Sequence, residues 1–363
     1  MEINSAIDER FMKQALDLAA KGQGRVEPNP MVGCVVVRGD RQIGEGFHSA
    51  FGRPHAEVEA ISDGGQDTVG ATMYVTLEPC CHQGKTPPCT AAILAAGIAR
   101  IVVATSDPYH CVDGGGIAAL KDAGVEVVTG VLETAARDLN APYFKRIDTS
   151  KPWIIAKWAM TLDGKIATHA GHSRWISGAE SRIRVHQLRG RVDAIMVGRG
   201  SAVADDPLLT ARPPGPRTAT RIVLDSKATL SLDSQLVRTA RETPVLIASG
   251  PDAPAGTVEQ LTASGCEVLC LKGDREQRLD ALLLELASRH MTNVLVEGGG
   301  ALLGSLSDAR QIDEVHAFIA PIFVGGDGQT PVGGDGVGQI SEAWKLNDPQ
   351  SEILGQDVYV RGR

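Results

Sequence analysis

The most informative pattern in the chain is His55-Ala56-Glu57 followed by Pro79-Cys80-Cys81-His82-Gln83-Gly84-Lys85-Thr86-Pro87-Pro88-Cys89. One imidazole and two thiolates supply three zinc ligands and leave a fourth position open for water, as in catalytic zinc sites. Zinc lowers the pKa of bound water from about 16 to roughly 7. Glu57 is then the candidate catalytic acid and base that carries the protons of hydrolysis. The pattern predicts a hydrolytic zinc site with His55, Cys80 and Cys89 as ligands.

The spacing of His55 and Glu57 restricts where the two side chains can lie. Residues two apart on a regular helix point to different sides. Both must therefore occupy the first turn of a helix and face a pocket at its end. Pro54, directly before them, favours a helix start at this point.

The two adjacent cysteines leave one ligand to be chosen. Cys80 and Cys81 are poorly placed to bind one ion together, and we assign Cys80 because it directly follows a proline. Cys89 is expected to open the next helix. The alternative is a structural zinc site with His82 as a fourth protein ligand, but a closed site would leave Glu57 without a role.

Short apolar strands alternate with helical segments along the chain, which predicts an α/β fold with a largely parallel sheet. Helices are predicted at Asp8–Lys21, Pro54–Ile61, Thr90–Ala96 and Ile117–Ala123. Strands are predicted at Val32–Val37, Ala71–Leu77, Arg100–Thr105, Val125–Thr129, Trp153–Ala159, Ala194–Val197, Arg221–Leu224, Val245–Ala248, Glu267–Leu271 and Val294–Glu297.

The length of 363 residues exceeds what one hydrophobic core usually supports, so two domains are expected. The segment Phe144–Pro152 is polar and charged and precedes a new apolar strand. We therefore predict a domain of residues 1–147 and a second of residues 148–363. The Gly-rich stretch Val324–Gly338 has little side chain to pack and is predicted to be a loop.

Composition narrows the class of protein. The formal charge is −8, and the absence of a Lys/Arg block argues against nucleic-acid binding. Charges within Met1–Lys21 argue against a signal peptide, and no stretch approaches the roughly 20 apolar residues of a membrane span. We therefore expect a cytoplasmic location, where the seven cysteines serve as thiols or metal ligands.

Further segments make a family resemblance specific. These are Pro28-Asn29-Pro30-Met31-Val32-Gly33, Gly46-Phe47-His48 and Leu77-Glu78-Pro79-Cys80 with Gly84-Lys85-Thr86-Pro87-Pro88-Cys89. With the His-x-Glu signature of zinc nucleobase deaminases, they resemble the deaminase half of the bifunctional riboflavin-biosynthesis deaminase/reductase family. Eight residues separate the two cysteines instead of two, which distinguishes that family from cytidine, guanine and tRNA-adenosine deaminases.

The resemblance implies a cytidine-deaminase-like three-layer α/β/α domain. It also implies zinc on His55, Cys80 and Cys89, with Glu57 as the proton shuttle. The residues that would line a pyrimidine nucleotide pocket are Asn29, His48, His82 and Lys85.

A second glycine-rich segment follows a predicted strand and precedes a helix. It reads Glu297-Gly298-Gly299-Gly300-Ala301-Leu302-Leu303-Gly304-Ser305. Glycines at such a place let backbone N–H groups and the helix N-terminus approach a phosphate. A Gly-rich turn required only for packing explains this segment equally well when it is taken alone.

Four segments together resemble the reductase half of the same family. They are Ala159–Ala167, Ser173–Ser177, Ala204–Arg212 and the Glu297 segment. The resemblance implies a fold similar to dihydrofolate reductase and the use of NADPH. The implied NADPH contacts are Ala159, Trp175, Ser201, Asp205, Ser226, Gly299, Gly300, Ala301, Leu302, Leu303, Gly304 and Ser305. The implied substrate contacts are Ser173, Arg189, Leu209, Arg212 and Glu297.

The sequence thus predicts two consecutive reactions. The first is zinc-dependent deamination of diaminohydroxyphosphoribosylaminopyrimidine. The second is NADPH-dependent reduction of the ribosyl group of 5-amino-6-(5-phosphoribosylamino)uracil, as its ring-opened imine, to ribityl. We expect a homo-oligomer that takes a small phosphorylated aminopyrimidine and has no nucleic-acid or membrane partner. The alternatives are a cytidine- or tRNA-adenosine-type deaminase with a non-reductase second domain, and a non-catalytic zinc-stabilised binding module.

Overall fold

A computed structural model describes residues 5–83 and 87–363. The chain forms two compact units, Met1–Ser150 and Lys151–Arg363. The sequence analysis placed the boundary between residues 147 and 148, which lies inside a helix, Ala141–Thr149. The inner side of that helix buries Tyr143 and Phe144, and its charged Arg146 donates to the carbonyl oxygen of Pro28. In the described residues, no helix has both the length and the apolar character of a membrane span.

The first unit is built on one mixed sheet. Its strands are β1 (Gly33–Arg38), β2 (Arg41–Phe47), β3 (Thr72–Val75), β4 (Arg100–Val103) and β5 (Glu126–Thr129). Its helices are α1 (Ser5–Ala20), α2 (Ala56–Gly64), α3 (Cys89–Ala95), α4 (Gly115–Asp122), α5 (Glu133–Leu139) and α6 (Ala141–Thr149), with a 3-10 turn at Gly65–Thr68. The strand order is β2-β1-β3-β4-β5. β1 pairs antiparallel with both neighbours, whereas β3, β4 and β5 are parallel.

Helices cover both faces of this sheet. Successive β1 side chains alternate between two apolar clusters, because side chains along a strand point to opposite faces. Cys34 and Val36 pack with residues of α2, α3 and α4. Val35 and Val37 pack with residues of α1 and α5. The expected three-layer α/β/α arrangement is confirmed.

The sequence analysis predicted neither β2 nor α6. β2 lies at the sheet edge and is largely exposed, so its glycines and charged residues replace the apolar run expected of a strand. α6 has an apolar side, on which Ile147 packs with the buried Tyr143 and Phe144, but its charged residues were taken to mark a domain boundary. Only β2 therefore lacks the pattern on which the predictions rested.

The second unit contains a larger sheet. Its strands are β6 (Trp153–Thr161), β7 (Ala194–Gly198), β8 (Thr220–Leu224), β9 (Val245–Ser249), β10 (Glu267–Cys270), β11 (Asn293–Val296), β12 (Glu314–Ala320), β13 (Gln350–Leu354) and β14 (Asp357–Gly362). Its helices are α7 (Ala179–Arg189), α8 (Arg199–Asp205), α9 (Gln235–Arg238), α10 (Ala255–Ala263), α11 (Arg275–Ser288) and α12 (Gly300–Asp308), with a 3-10 turn at Ile340–Glu342. The strand order is β10-β9-β8-β7-β11-β6-β12-β14-β13.

The seven strands from β10 to β12 are parallel, as the alternating pattern predicted. One face packs residues of α7, α8, α9 and α10, and the other packs residues of α11 and α12. β14 and β13 extend the sheet in the antiparallel direction, and these two strands and β12 were not predicted. The Gly-rich stretch 324–338 has no regular structure, as expected.

Candidate active sites

In the first unit, three predicted zinc ligands converge at the starts of two helices. His55 is the N-cap residue of α2, and Cys89 is the first residue of α3. The Nδ1 atom of His55 lies 3.2 Å from Cys89 Sγ and 3.6 Å from Cys80 Sγ. One donor atom from each residue lies within 4.8 Å of the other two. Residues distant in sequence therefore form one group with the size and the chemistry of a zinc site.

The group has three protein donors, one fewer than a closed tetrahedral zinc site. In the part of the chain that the structure describes, no further His, Cys, Asp or Glu joins it. His82, the fourth ligand of the structural alternative, lies outside the group, with its ring 6.1 Å from that of Tyr109. Cys81 Sγ is directed to the backbone carbonyl of Cys111 at 3.7 Å. The geometry favours Cys80 over Cys81 and an open site over a closed one.

Proton sharing within the group shows that it suits a cation. The hydrogen bond from Cys89 lowers the pKa of Cys80 to about 4, and the same bond, with burial, raises the pKa of Cys89. The hydrogen bond to Cys80 likewise raises the pKa of His55. Two neighbouring sulfurs thus hold one proton between them. A divalent cation bonded to both would take the place of that proton.

Glu57 lies beside this group in the first turn of α2, where its spacing from His55 placed it. The side chain is only 3% exposed, and burial raises the pKa of its carboxyl group. A carboxyl group with a raised pKa exchanges a proton more readily near neutral pH than an exposed one. The position and the protonation behaviour both suit a proton carrier.

His48 and Asn29 form a second polar pair next to the zinc group. His48 Nδ1 lies 3.1 Å from the carbonyl oxygen of Pro54, which can only accept, so Nδ1 carries the proton. His48 Nε2 then accepts from Asn29 Nδ2 at 3.2 Å. Burial lowers the pKa of His48, so the ring is neutral at pH 7. Its centroid is 5.5 Å from that of His55.

The loop that carries Asn29 is fixed by a buried amide that sequence reasoning did not find. Asn140 Oδ1 accepts from Met31 N at 2.8 Å, and Asn140 Nδ2 donates to Met31 O at 2.8 Å. Asn140 is 1% exposed and stands between α5 and α6. A pairing across more than a hundred residues leaves no periodic signal in the sequence. Asn140 therefore positions the Asn29 loop.

Glu78, next to Pro79, fixes a second loop of the first unit. Its carboxylate accepts from the backbone N–H groups of Asp107 at 3.2 Å, Gly114 at 3.1 Å and Ile117 at 3.0 Å. The loop held in this way carries Tyr109, whose ring neighbours His82. The predicted pocket residue Lys85 lies outside the described residues.

In the second unit, a cavity of about 570 Å³ is lined by all five predicted substrate residues. These are Ser173, Arg189, Leu209, Arg212 and Glu297. The cavity lies beyond the carboxyl ends of parallel strands, where open α/β sheets bind ligands. Five predicted NADPH contacts also line it, namely Ala159, Trp175, Ser201, Asp205 and Gly299. Ser173 Oγ donates to Asp205 Oδ1 at 3.2 Å, which links the two sets.

A buried ion triad lies at the floor of this cavity. Arg189 donates to both oxygens of Glu297, at 2.6 and 2.9 Å, and Lys157 Nζ lies 3.7 Å from Glu297 Oε2. Burial alone would raise the pKa of Glu297, but the charges of Arg189 and Lys157 hold it at about 2. Burial lowers the pKa of Lys157. Lys157 was not predicted, although a lone lysine inside an apolar strand was a visible signal.

The remaining predicted NADPH contacts divide into two groups. Ser226, Ala301, Leu302 and Ser305 line a second cavity of about 290 Å³. Leu303 is fully buried in the core, and a Cβ at Gly304 would lie 2.4 Å from the backbone of Gly333. Leu303 and Gly304 therefore contribute to close packing. The same holds for Gly300, where a Cβ would lie 2.6 Å from a backbone carbonyl. The contacts assigned to them remain predictions.

Comparisons with known proteins agree with this two-part organisation. The family model described as the cytidine and deoxycytidylate deaminase zinc-binding region matches residues 5–105, and the RibD C-terminal domain matches residues 152–360. The riboflavin biosynthesis protein RibD of Actinobacillus pleuropneumoniae is 42% identical over 356 residues, which cover 97% of this chain and 94% of that protein.

Solved structures give the same result. Acinetobacter baumannii RibD, form 1, is 33% identical, with a TM-score of 0.88 and 99% of each chain covered. A Thermotoga maritima diaminohydroxyphosphoribosylaminopyrimidine deaminase/5-amino-6-(5-phosphoribosylamino)uracil reductase is 35% identical, with a TM-score of 0.86 and 99% of each chain covered. The match to the RibD C-terminal domain excludes the alternative of a non-reductase second domain. The chain belongs to the RibD family of riboflavin biosynthesis proteins, with a zinc-binding deaminase domain followed by a reductase domain.

Proposed function

We propose that the first unit deaminates diaminohydroxyphosphoribosylaminopyrimidine, with His55, Cys80 and Cys89 as the zinc ligands and Glu57 as the proton carrier. Proteins of the RibD family are zinc-dependent deaminases and NADPH-dependent reductases. The observation that carries the residue assignment is a buried carboxylic acid beside a group of three protein donors, one fewer than a closed site needs. A closed structural site would have neither feature.

Each side chain of this site has a definite task. His55, Cys80 and Cys89 would hold a zinc ion, which would supply an activated water at neutral pH. Glu57 takes one proton from that water and delivers it to the pyrimidine ring nitrogen, and then carries the remaining proton of the added hydroxyl to the departing amine. Because its pKa is raised by burial, Glu57 can both accept and release the proton. The product is the corresponding uracil, and ammonia leaves.

We assign recognition of the pyrimidine to Asn29, His48, His82 and Lys85. The Nε2 atom of neutral His48 holds the Asn29 amide and so fixes its orientation. An amide fixed in this way presents a carbonyl oxygen and a second N–H to a ligand, which complement the donors and acceptors of an aminopyrimidine. Among the residues that the structure describes, none hydrogen-bonds the buried Nδ1 atom of His82. A ligand atom can supply the missing bond.

The second unit reduces the ribosyl group of the deaminated product. NADPH supplies the hydride. The triad of Lys157, Arg189 and Glu297 lies at the floor of the larger cavity and orients the sugar. Arg212 lies exposed at the same cavity and suits the phosphate, since a guanidinium matches phosphate oxygens in a fork.

The finer partner assignments form part of the same proposal. We propose that the chain acts in the cytoplasm as a homo-oligomer and binds no nucleic acid. The net charge of −8 supports the absence of a nucleic-acid partner. All seven cysteines are outside disulfide bonds, which suits a reducing compartment.

A paired assay tests the proposed function. Purified protein is incubated with the diaminopyrimidine nucleotide and NADPH, and ammonia and NADPH absorbance are followed together. We expect Glu57→Gln to lower ammonia release by roughly 100-fold or more, while reduction of the pre-deaminated substrate continues at the normal rate. Glu59→Gln, an exposed change in the same helical turn, is the matched control. Ammonia release by Glu57→Gln within tenfold of the unchanged protein would show that Glu57 is not the proton carrier.

A further inference from the structure

The smaller cavity of the second unit, of about 290 Å³, has an apolar floor and a polar rim. It lies where β7, β8, β9 and β10 end. The floor is formed by the side chains of Leu224, Ala248, Leu271, Leu279, Leu282 and Leu302. Ser226 and Ser305, both predicted NADPH contacts, line it as well. An apolar floor of this size suits a flat heterocycle such as adenine.

The charged residues of this cavity are all arginines. Arg199, Arg275 and Arg278 line it, and no Asp or Glu does so among the described residues. Arg275 donates to the carbonyl oxygen of Ala301, in the first turn of α12. Arg278 donates to the carbonyl oxygen of Gly273 at 2.6 Å. A guanidinium has five N–H donors, so one backbone bond holds the side chain in place and leaves donors for an anion.

A carboxylate that could bind a ribose is turned away from the cavity. In dinucleotide-binding sheets, an acidic residue at a strand end binds the free 2′-hydroxyl of NAD, whereas a nearby arginine accommodates the 2′-phosphate of NADP. Asp225 directly follows β8, but its carboxylate accepts from Thr229 N at 2.6 Å and Leu230 N at 2.7 Å. Asp225 is fully buried, and its carboxylate also lies 3.9 Å from Arg199 Nε, which donates to Thr229 Oγ1 at 2.7 Å. Among the described residues, the charged side chains that line this cavity are therefore guanidinium groups, with no carboxylate to bind a ribose hydroxyl.

We propose that Arg275 and Arg278 bind the 2′-phosphate of the adenosine end of NADPH and thereby set the preference for NADPH over NADH. This inference rests on the proposed reductase function. The leucine floor takes the adenine. The pyrophosphate and nicotinamide then extend past the start of α12 toward the larger cavity, where Gly299 N–H bonds Ser201 Oγ at 3.0 Å.

Two measurements on the full chain test this proposal. In steady-state reduction of the deaminated substrate, Arg275→Gln and Arg278→Gln are each expected to raise the KM for NADPH by about 10- to 100-fold, the usual worth of a hydrogen bond to a charged group. The kcat/KM for NADH should stay within twofold. Arg241→Gln is the matched control, because Arg241 also donates to a backbone carbonyl, that of Ala263, but lies outside the cavity.

Calorimetric titration with adenosine 2′,5′-bisphosphate, with adenosine 5′-monophosphate as the comparison, gives a readout that needs no turnover. Both arginine variants should weaken binding of the bisphosphate by at least tenfold and leave the monophosphate unchanged. Equal losses for the two nucleotides, or unchanged NADPH/NADH preference, would overturn the assignment. If the unchanged protein bound the bisphosphate but reduced no substrate, the reductase function would fail while the phosphate site stood.

Discussion

Replacing Glu297 by glutamine isolates the energy of the ion triad in the reductase cavity. The Glu297 side chain is 7% exposed. Its carboxylate accepts hydrogen bonds from Nε and one terminal nitrogen of Arg189, and the ammonium group of Lys157 lies nearby. Glutamine has nearly the shape of the protonated acid and no charge. The variant at neutral pH therefore resembles the unchanged protein with Glu297 protonated.

The magnitude follows from the pKa of Glu297. The triad holds this pKa at about 2, whereas its ordinary value is 4.5. At 1.36 kcal/mol for each unit of pKa, the difference corresponds to about 3 kcal/mol of folding free energy. Because the folded pKa is the lower one, this stabilisation is fully present above pH 4.5. It is lost as the pH falls through about 2.

Urea unfolding followed by tryptophan fluorescence measures this energy in the second unit, since Trp153, Trp158, Trp175 and Trp344 all lie there. We expect Glu297→Gln to lower the free energy of unfolding by about 3 kcal/mol at pH 7. The difference in unfolding free energy between the variant and the unchanged protein should become steadily smaller as the pH falls from 4.5 to 3. Glu259→Gln, an exposed change on α10, should have almost no effect. A difference in unfolding free energy below about 1 kcal/mol at pH 7, or a difference that does not change with pH, would refute this reasoning.

Three further outcomes are expected. Asn140→Ala leaves both backbone groups of Met31 unpaired, so the free energy of unfolding of the first unit should fall by about 2–4 kcal/mol, measured by urea titration of circular dichroism; a loss under 1 kcal/mol would contradict the role of this amide. Removal of metal by a strong chelator should abolish ammonia release and lower the melting temperature of the first unit. NADPH oxidation with pre-deaminated substrate should stay unchanged, and loss of both activities together would contradict a metal site confined to the first unit. Arg212→Ala should raise the KM of the phosphorylated substrate about tenfold in the reductase assay, and an equal effect on the dephosphorylated substrate would argue against a phosphate contact.

The sequence indicated the His55, Cys80 and Cys89 group because each of its two motifs, the His-x-Glu pair and the cysteine loop, is a short local pattern. His55 and Glu57 are two residues apart, and only the first turn of a helix lets both face one pocket. The structure begins α2 at this point and α3 at Cys89. The parallel strands were equally accessible, because buried strands are short apolar runs bounded by turns.

Long-range partners could not be predicted in this way. β6 pairs with β11 in a register that places Ala156 opposite Val296. Because Lys157 follows Ala156 and Glu297 follows Val296, their side chains can form an ion pair. Strand register depends on the whole packed sheet. The Asn140–Met31 pairing depends in the same way on tertiary contacts. Hydrophobic periodicity reports which face of an element is buried and carries no information on such pairs.

X-ray absorption at the zinc edge on the purified protein tests the central assignment most directly. We predict one zinc per chain with two sulfur neighbours at about 2.3 Å, one nitrogen at about 2.0–2.1 Å and one lighter oxygen ligand from solvent. The spectrum should be unchanged in Cys81→Ser and lose a sulfur contribution in Cys80→Ser. A second nitrogen or a third sulfur around the metal, or a spectrum that is the same in Cys80→Ser, would contradict an open site on His55, Cys80 and Cys89.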